Sequence, residues 1–293
     1  MKIVLFVLFL IIFFFTITAN SFIIAVVQAD SKLSSAMYVF LLNLSLLDIC
    51  FLSTNMPTCL KSFLMEKNTI TYSGCVVQMY VGVSLGITQC ILLAVMAWDR
   101  YIAICNPLNY HHIINNALCT KLIFGTWVSG FLLATVNVSF TMTVPFCGHN
   151  KINHIVCELA AVLRLACVDT PLQEIMFLVV SLLVFMAPMS LIIFTYLHII
   201  STILRMPASG RSKVFSTCGS HLTVVILFYG ALIVMYMTPR SQISTENEKV
   251  ISVFYGVVTP ALNPFIYTLR NHEMKMAMRK LLIKKKAWPG SKV

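Results

Sequence analysis

Asp99 and Arg100 stand side by side where the long apolar run from Cys75 breaks off, and Tyr101 follows them. Before Asp99, the frankly polar members of that run are Gln78, Ser84, Thr88 and Gln89. An ionised group in hydrocarbon costs several kcal/mol, so the pair must lie at a membrane interface or inside a protein cavity. Two chemistries are open to the arginine there. It can snorkel to lipid headgroups as an anchor, or its planar fork can hold and release a specific partner. Asp48 falls in the middle of another apolar run, where a carboxylate is expected to face polar partners in a bundle interior. His221 falls in a further run, and its plain reading is a hydrogen-bonded packing histidine. A Gly-rich phosphate loop, an HExxH pair and a nucleophile with base and orienting group are all missing. The chain is therefore read as no enzyme, with no cofactor.

The elements that must position these groups are membrane spans. Hydrophobic residues make up 59% of the 293 and charged residues 11%, where a soluble domain is nearer about a quarter charged. Seven apolar stretches are long enough to cross a bilayer, at roughly 3–27, 37–60, 76–98, 118–140, 174–203, 214–238 and 250–269. The first is longer than the core of a signal peptide and is read as a helix that stays. With the C-terminus inside, fourteen of the 21 Lys and Arg residues fall on inner segments. That asymmetry orients the bundle with its tail in the cytoplasm, and the net charge of +11 is attraction to anionic lipid, not to nucleic acid. Residues 271–283 alternate apolar and basic, the pattern of a short amphipathic helix on the inner leaflet. On the outer, oxidising face stand Cys75 and the three cysteines of 146–170, namely Cys147, Cys157 and Cys167. Disulfides persist there, and four cysteines allow three pairings.

Four strings carry a resemblance. MAWDRYIAIC at 96–105, MYVFLLNLSLLDIC at 37–50, KVFSTCGSHLTVVILFYG at 213–230 and PALNPFIYTLRN at 260–271 occur in that family's order along the chain. Together they resemble the odorant receptors of the larger, tetrapod-type class, within the rhodopsin-like G-protein-coupled receptors. Trp98, Ala36 and Ala19 depart from the usual tyrosine, proline and glycine, and the glycosylated outer tail normal in the family is missing. The resemblance implies an all-α membrane protein, a seven-transmembrane helix bundle with a short amphipathic cytoplasmic helix 8. It implies one receptor domain over 1–293 in the plasma membrane, with its N-terminus outside.

What the resemblance implies about sites is specific. Cys75–Cys157 and Cys147–Cys167 would be disulfides. His149, His154 and Cys157 would otherwise suggest a metal, but a bonded Cys157 has no thiolate to offer, so none is expected. A small, mostly hydrophobic and uncharged odorant would lie among Gly82, Val83, Gly86 and Ile87, with Val180, Ser181 and Val184, Tyr229, Ile233 and Tyr236, and Val253 and Gly256. The first four share one face of a helix. A heterotrimeric G protein of the stimulatory olfactory type would couple through Asp99, Arg100, Tyr101, Tyr196, Lys213, His221, Asn263, Pro264 and Tyr267. At rest Arg100 would be held by Asp99. Asn20 and Asp48 would belong to an inner polar network. Two other readings compete. One is a non-signalling relic that fails to reach the surface; the other is a channel or transporter, which would need polar groups at several depths.

Overall fold

A chain this apolar must satisfy its backbone internally, and in lipid that means helices. The computed structural model describes residues 2–65, 68–146, 150–166, 171–237 and 244–286. Seven helices among these are long and apolar enough to cross a membrane. They are Lys2–Ala29 (α1), Ala36–Leu64 (α2), Tyr72–Cys105 (α3), Asn116–Met142 (α4), Pro171–Arg205 (α5), Ala208–Met237 (α6) and a composite α7. The pieces of α7 are Thr245–Val253, a π-helical turn Phe254–Val258, and Thr259–Arg270. A further helix, His272–Lys286 (α8), follows directly. The chain is thus an all-α seven-helix membrane protein.

Local chemistry sets the ends. Thr71 caps α3 by accepting from the Gly74 amide, Asn115 caps α4 through Leu118, and Ser244 caps α7 through Asn247. The Ser244 cap starts α7 at Thr245, ahead of the apolar stretch from 250. Inside the spans, Thr16, Ser84, Thr88 and Thr126 turn their hydroxyls back to the carbonyl four residues earlier, at 2.7 Å each. Between α1 and α2, Asp30 accepts the Lys32 amide at 3.2 Å and pairs with Lys280 of α8 at 3.3 Å.

The tall α3 is the central post and packs against α2, α4, α5 and α6. Its contact with α4 is close because Gly130 has no side chain. A Cβ there would come within 2.0 Å of Thr88 Oγ1 and 3.0 Å of the Ser84 carbonyl. In a membrane, small residues at such crossings let helices gain dispersion contact. The first span is a wall of the bundle: α1 packs on α2, α7 and α8, and its buried Asn20 donates to the Pro260 carbonyl at 3.3 Å.

Candidate functional site

The bundle has two chemically distinct ends, one carrying the Cys75–Cys157 disulfide and the other carrying Asp99 and Arg100. At the disulfide end a cavity of about 110 Å³ opens between α2, α3, α5, α6, α7 and the segment 155–159. Gly82, Val83, Gly86, Ile87, Ser181, Val184, Tyr236, Val253 and Gly256 line it. Three residues expected there do not. Val180 packs against the neighbouring cluster of Ile87, Ala134 and Val184. Tyr229 points towards α3 and donates to the Cys90 carbonyl at 2.9 Å, while Ile233 is exposed on the bundle's outside. The reason is helical phase. On α6 the lining residues are Phe228, Leu232 and Tyr236, an i, i+4, i+8 stripe, and Tyr229 and Ile233 sit one residue, about 100°, round from it.

The π-helical turn has a matching effect on α7. One extra residue in the turn shifts the side chains that follow, and Tyr255, Gly256 and Val257 all reach the cavity.

Of the polar end of the cavity only Tyr236 was in the expected set; Glu158, Ser252 and Tyr255 were absent from it. Glu158, next to the disulfide, is buried and accepts at both oxygens. Tyr236 and Tyr255 donate to Oε1 at 3.1 and 2.8 Å, and Ser252 donates to Oε2 at 2.5 Å. His154 Nε2 stands 3.4 Å from Oε2 and 3.2 Å from Ser252 Oγ. The segment is further held by Gln78 of α3, whose Oε1 accepts the Cys157 amide at 3.1 Å while its Nε2 donates to the Thr54 carbonyl. Beyond this, Arg164 pairs with Glu248 at the start of α7. The sequence signal was limited to adjacency: Glu158 follows Cys157, whose bond to Cys75 holds it near the outer end of α3 without naming its partners. The other expected disulfide, Cys147–Cys167, and His149 lie outside the described residues.

At mid-bundle, Asp48 Oδ2 accepts from Asn263 Nδ2 at 2.8 Å, beside Pro264 in α7. Asn20 reaches α7 at Pro260 instead, so the two helices touch α7 at different points. Among the described residues no cluster of three metal-binding side chains occurs.

At the other end the expected pair of Asp99 with Arg100 does not form. Asp99 Oδ1 accepts from the Tyr110 hydroxyl at 2.8 Å, and no ion pair joins the two neighbours. Adjacent residues on a helix diverge by about 100° and do not face each other. Burial pushes the Tyr110 phenol above its ordinary range, and the nearby Asp99 charge adds to that. Arg100 instead borders a small cavity with Met96, Ser220, Tyr267 and Asn271. Its Nε and the Tyr267 hydroxyl are both buried without a hydrogen-bond partner.

Tyr196 meets α6 rather than Arg100: its hydroxyl lies 2.8 Å from His221 Nδ1 and 3.2 Å from the Cys218 carbonyl, and His221 Nε2 lies 3.1 Å from the Leu93 carbonyl. A nitrogen facing a carbonyl must carry the proton, so Nε2 donates to α3 and Nδ1 accepts from α5. Tyr101 sets its ring edge-on to His198 of α5, centroids 5.9 Å apart. Lys213 lies in the first turns of α6, and its side chain is outside the described residues.

Comparison with known proteins places this geometry. Residues 8–285 match the family model described as olfactory receptor. Human olfactory receptor 2K2 is 50% identical over 283 residues, covering 96% of this chain and 89% of that one. Human olfactory receptor 2G3 is 48% identical over 280 residues, 95% of this chain and 91% of its own. Human olfactory receptor 13C9 is 44% identical over 288 residues, 96% and 91% of the two chains.

Proposed function

Because the chain belongs to the olfactory receptor family, we propose that it binds a small, largely hydrophobic molecule in the cavity and activates a stimulatory olfactory-type G protein, raising cyclic AMP. The disulfide end faces outside and the Arg100 end faces the cytoplasm, an orientation supported by the Lys and Arg excess on the Arg100 side.

The observation that carries this reading is the double duty of α6. Its Phe228, Leu232 and Tyr236 line the cavity, and its His221, further towards the Arg100 end, ties α6 to α3 and α5. A ligand that prefers one α6 position shifts the equilibrium by its differential affinity for the two states. The resting position keeps His221 on Leu93; the active one swings the base of α6 outward and exposes Arg100 to the G protein. Pro188 in α5 and Pro264 in α7 interrupt the backbone ladder where bending is needed.

The test is a cyclic-AMP assay across an odorant panel, with surface display of the receptor confirmed by staining. A concentration-dependent rise for at least one uncharged odorant is expected. A well-displayed receptor that is silent to the whole panel but responds to a multiply charged metabolite overturns the ligand assignment.

A further inference from the structure

We infer that the Glu158 cluster makes this cavity select molecules carrying a hydrogen-bond donor, that is alcohols and alkylamines, over ketones, aldehydes and ethers of the same size. The inference rests on the receptor reading above and names the ligand class of that same cavity.

An ionised carboxylate is acceptor-only, with about four lone-pair sites. In Glu158 three of them take the hydroxyls of Tyr236, Tyr255 and Ser252, and His154 Nε2 stands 3.4 Å from Oε2. Each hydroxyl has a single proton, and all three are spent on Glu158. What the Tyr255 hydroxyl turns to the cavity is therefore oxygen lone pair, while Ser252 Oγ also faces His154 Nε2 at 3.2 Å. A carbonyl or ether oxygen brought against Glu158 and these hydroxyls meets acceptors, which repel it, and it leaves buried oxygens unpaired. An O–H or N–H group finds several places to donate. An ammonium adds charge to the bond, which strengthens it, because the residues around Glu158 are hydroxyls and one imidazole and the nearby Arg164 is engaged with Glu248.

The rest of the cavity suits the apolar remainder of such a molecule. Gly82, Val83, Gly86 and Ile87 form its wall on α3. Ser181 on α5 can give or take a hydrogen bond, so it does not discriminate. At the far end Gln89 lines the cavity, buried, with Nε2 lacking a partner. Gln89 lies eleven residues along α3 from Gln78, about 16 Å at 1.5 Å per residue. A donor therefore docks at the disulfide end, and any acceptor on the molecule belongs at the Gln89 end.

The experiment compares 1-hexanol, hexylamine, hexanal, 2-hexanone and methyl pentyl ether on the full chain. Two readouts are taken: cyclic AMP in cells with matched surface display, and the ligand-induced rise in melting temperature of the purified receptor. Hexanol and hexylamine should bind at least about tenfold better than the three acceptor-only probes. Glu158→Gln, which puts N–H donors in the cluster, should erase that preference. Should Glu158→Gln not reach the surface, Tyr255→Phe serves instead. It frees one lone pair of Glu158, so the alcohol and amine gain while the ketone does not. Equal melting shifts from all five probes overturn this inference and leave the receptor reading standing. Donor-selective shifts without cyclic AMP support the inference and count against G-protein coupling. No shift with any probe counts against both.

Discussion

The rings of Tyr196 on α5 and His221 on α6 lie parallel, 5.9 Å between centroids and 5° between planes, with the tyrosine hydroxyl 2.8 Å from Nδ1. Through Nε2 the same imidazole reaches the Leu93 carbonyl on α3. One side chain thereby fastens three helices at the level where α6 would have to move.

Removing that fastening should favour the active arrangement. His221→Phe loses two buried hydrogen bonds, together about 1–3 kcal/mol, so the equilibrium should shift by about 5- to 150-fold and basal cyclic AMP should rise at matched surface levels. Tyr196→Phe, which frees α5 from both His221 and the Cys218 carbonyl but leaves His221 on Leu93, should raise it as well. Basal output at or below wild type in both variants would remove the lock from the account.

Arg100 is buried with Nε unpartnered, beside Tyr267 and away from Asp99. Arg100→Lys and Arg100→Ala should keep surface display and ligand binding but cut the G-protein response severely, because a point charge does not replace a planar fork. A lysine variant with near-normal cyclic AMP would make Arg100 an interface anchor instead.

Asp99 depends on Tyr110, so Tyr110→Phe strips a buried carboxylate of its donor and should cost about 1–3 kcal/mol of stability. The loss is read as a lower melting temperature of purified receptor. In an Asp99→Asn background the same change should cost much less, since the two groups couple. The sign with pH follows from the raised phenol. Folding favours the protonated form of Tyr110, so its contribution is present below the ordinary phenol value of about 10 and fades as pH climbs past it. A pair that melts additively in the double-mutant comparison would contradict the contact.

Gly130→Ala places a methyl 2.0 Å from Thr88 Oγ1, an overpacking expected to cost about 1–3 kcal/mol. Thr88→Ala should recover part of that melting temperature by removing the struck hydroxyl; the contacts that remain, 3.0 Å from the Ser84 carbonyl and 3.0 Å from the Cβ of residue 88, keep the recovery incomplete. An unaltered melting temperature for Gly130→Ala would show that α3 and α4 are further apart.

Cys75→Ser and Cys157→Ser each break the tether that holds Glu158 at the cavity mouth. Loss of a native disulfide costs about 2–5 kcal/mol, and surface display should fall sharply in both. Normal display together with normal ligand response in either variant would count against the tether.

Much of this protein is readable before any coordinates. Hydrocarbon leaves a spanning backbone no choice but helix, so apolar length alone determined seven spans, and the Lys and Arg pattern determined the proposed orientation. Fixed spacing also determined most of the cavity wall on α3, because Gly82, Val83, Gly86 and Ile87 share a face in any helix. What spacing cannot supply is the rotation of one helix about its axis against its neighbours. That placed Phe228, Leu232 and Tyr236 on the cavity where Tyr229 and Ile233 had been expected, and a π-helical turn in α7 had no sequence signal at all. Nor can adjacency in sequence stand for contact. Asp99 and Arg100 are neighbours in the chain yet diverge round the helix, while Tyr110, eleven residues on, folds back to Asp99. The Glu158 cluster is the strongest case. Its hydroxyl donors come from α6 and α7, up to 97 residues along the chain from Glu158, and only the packed bundle brings them to one carboxylate.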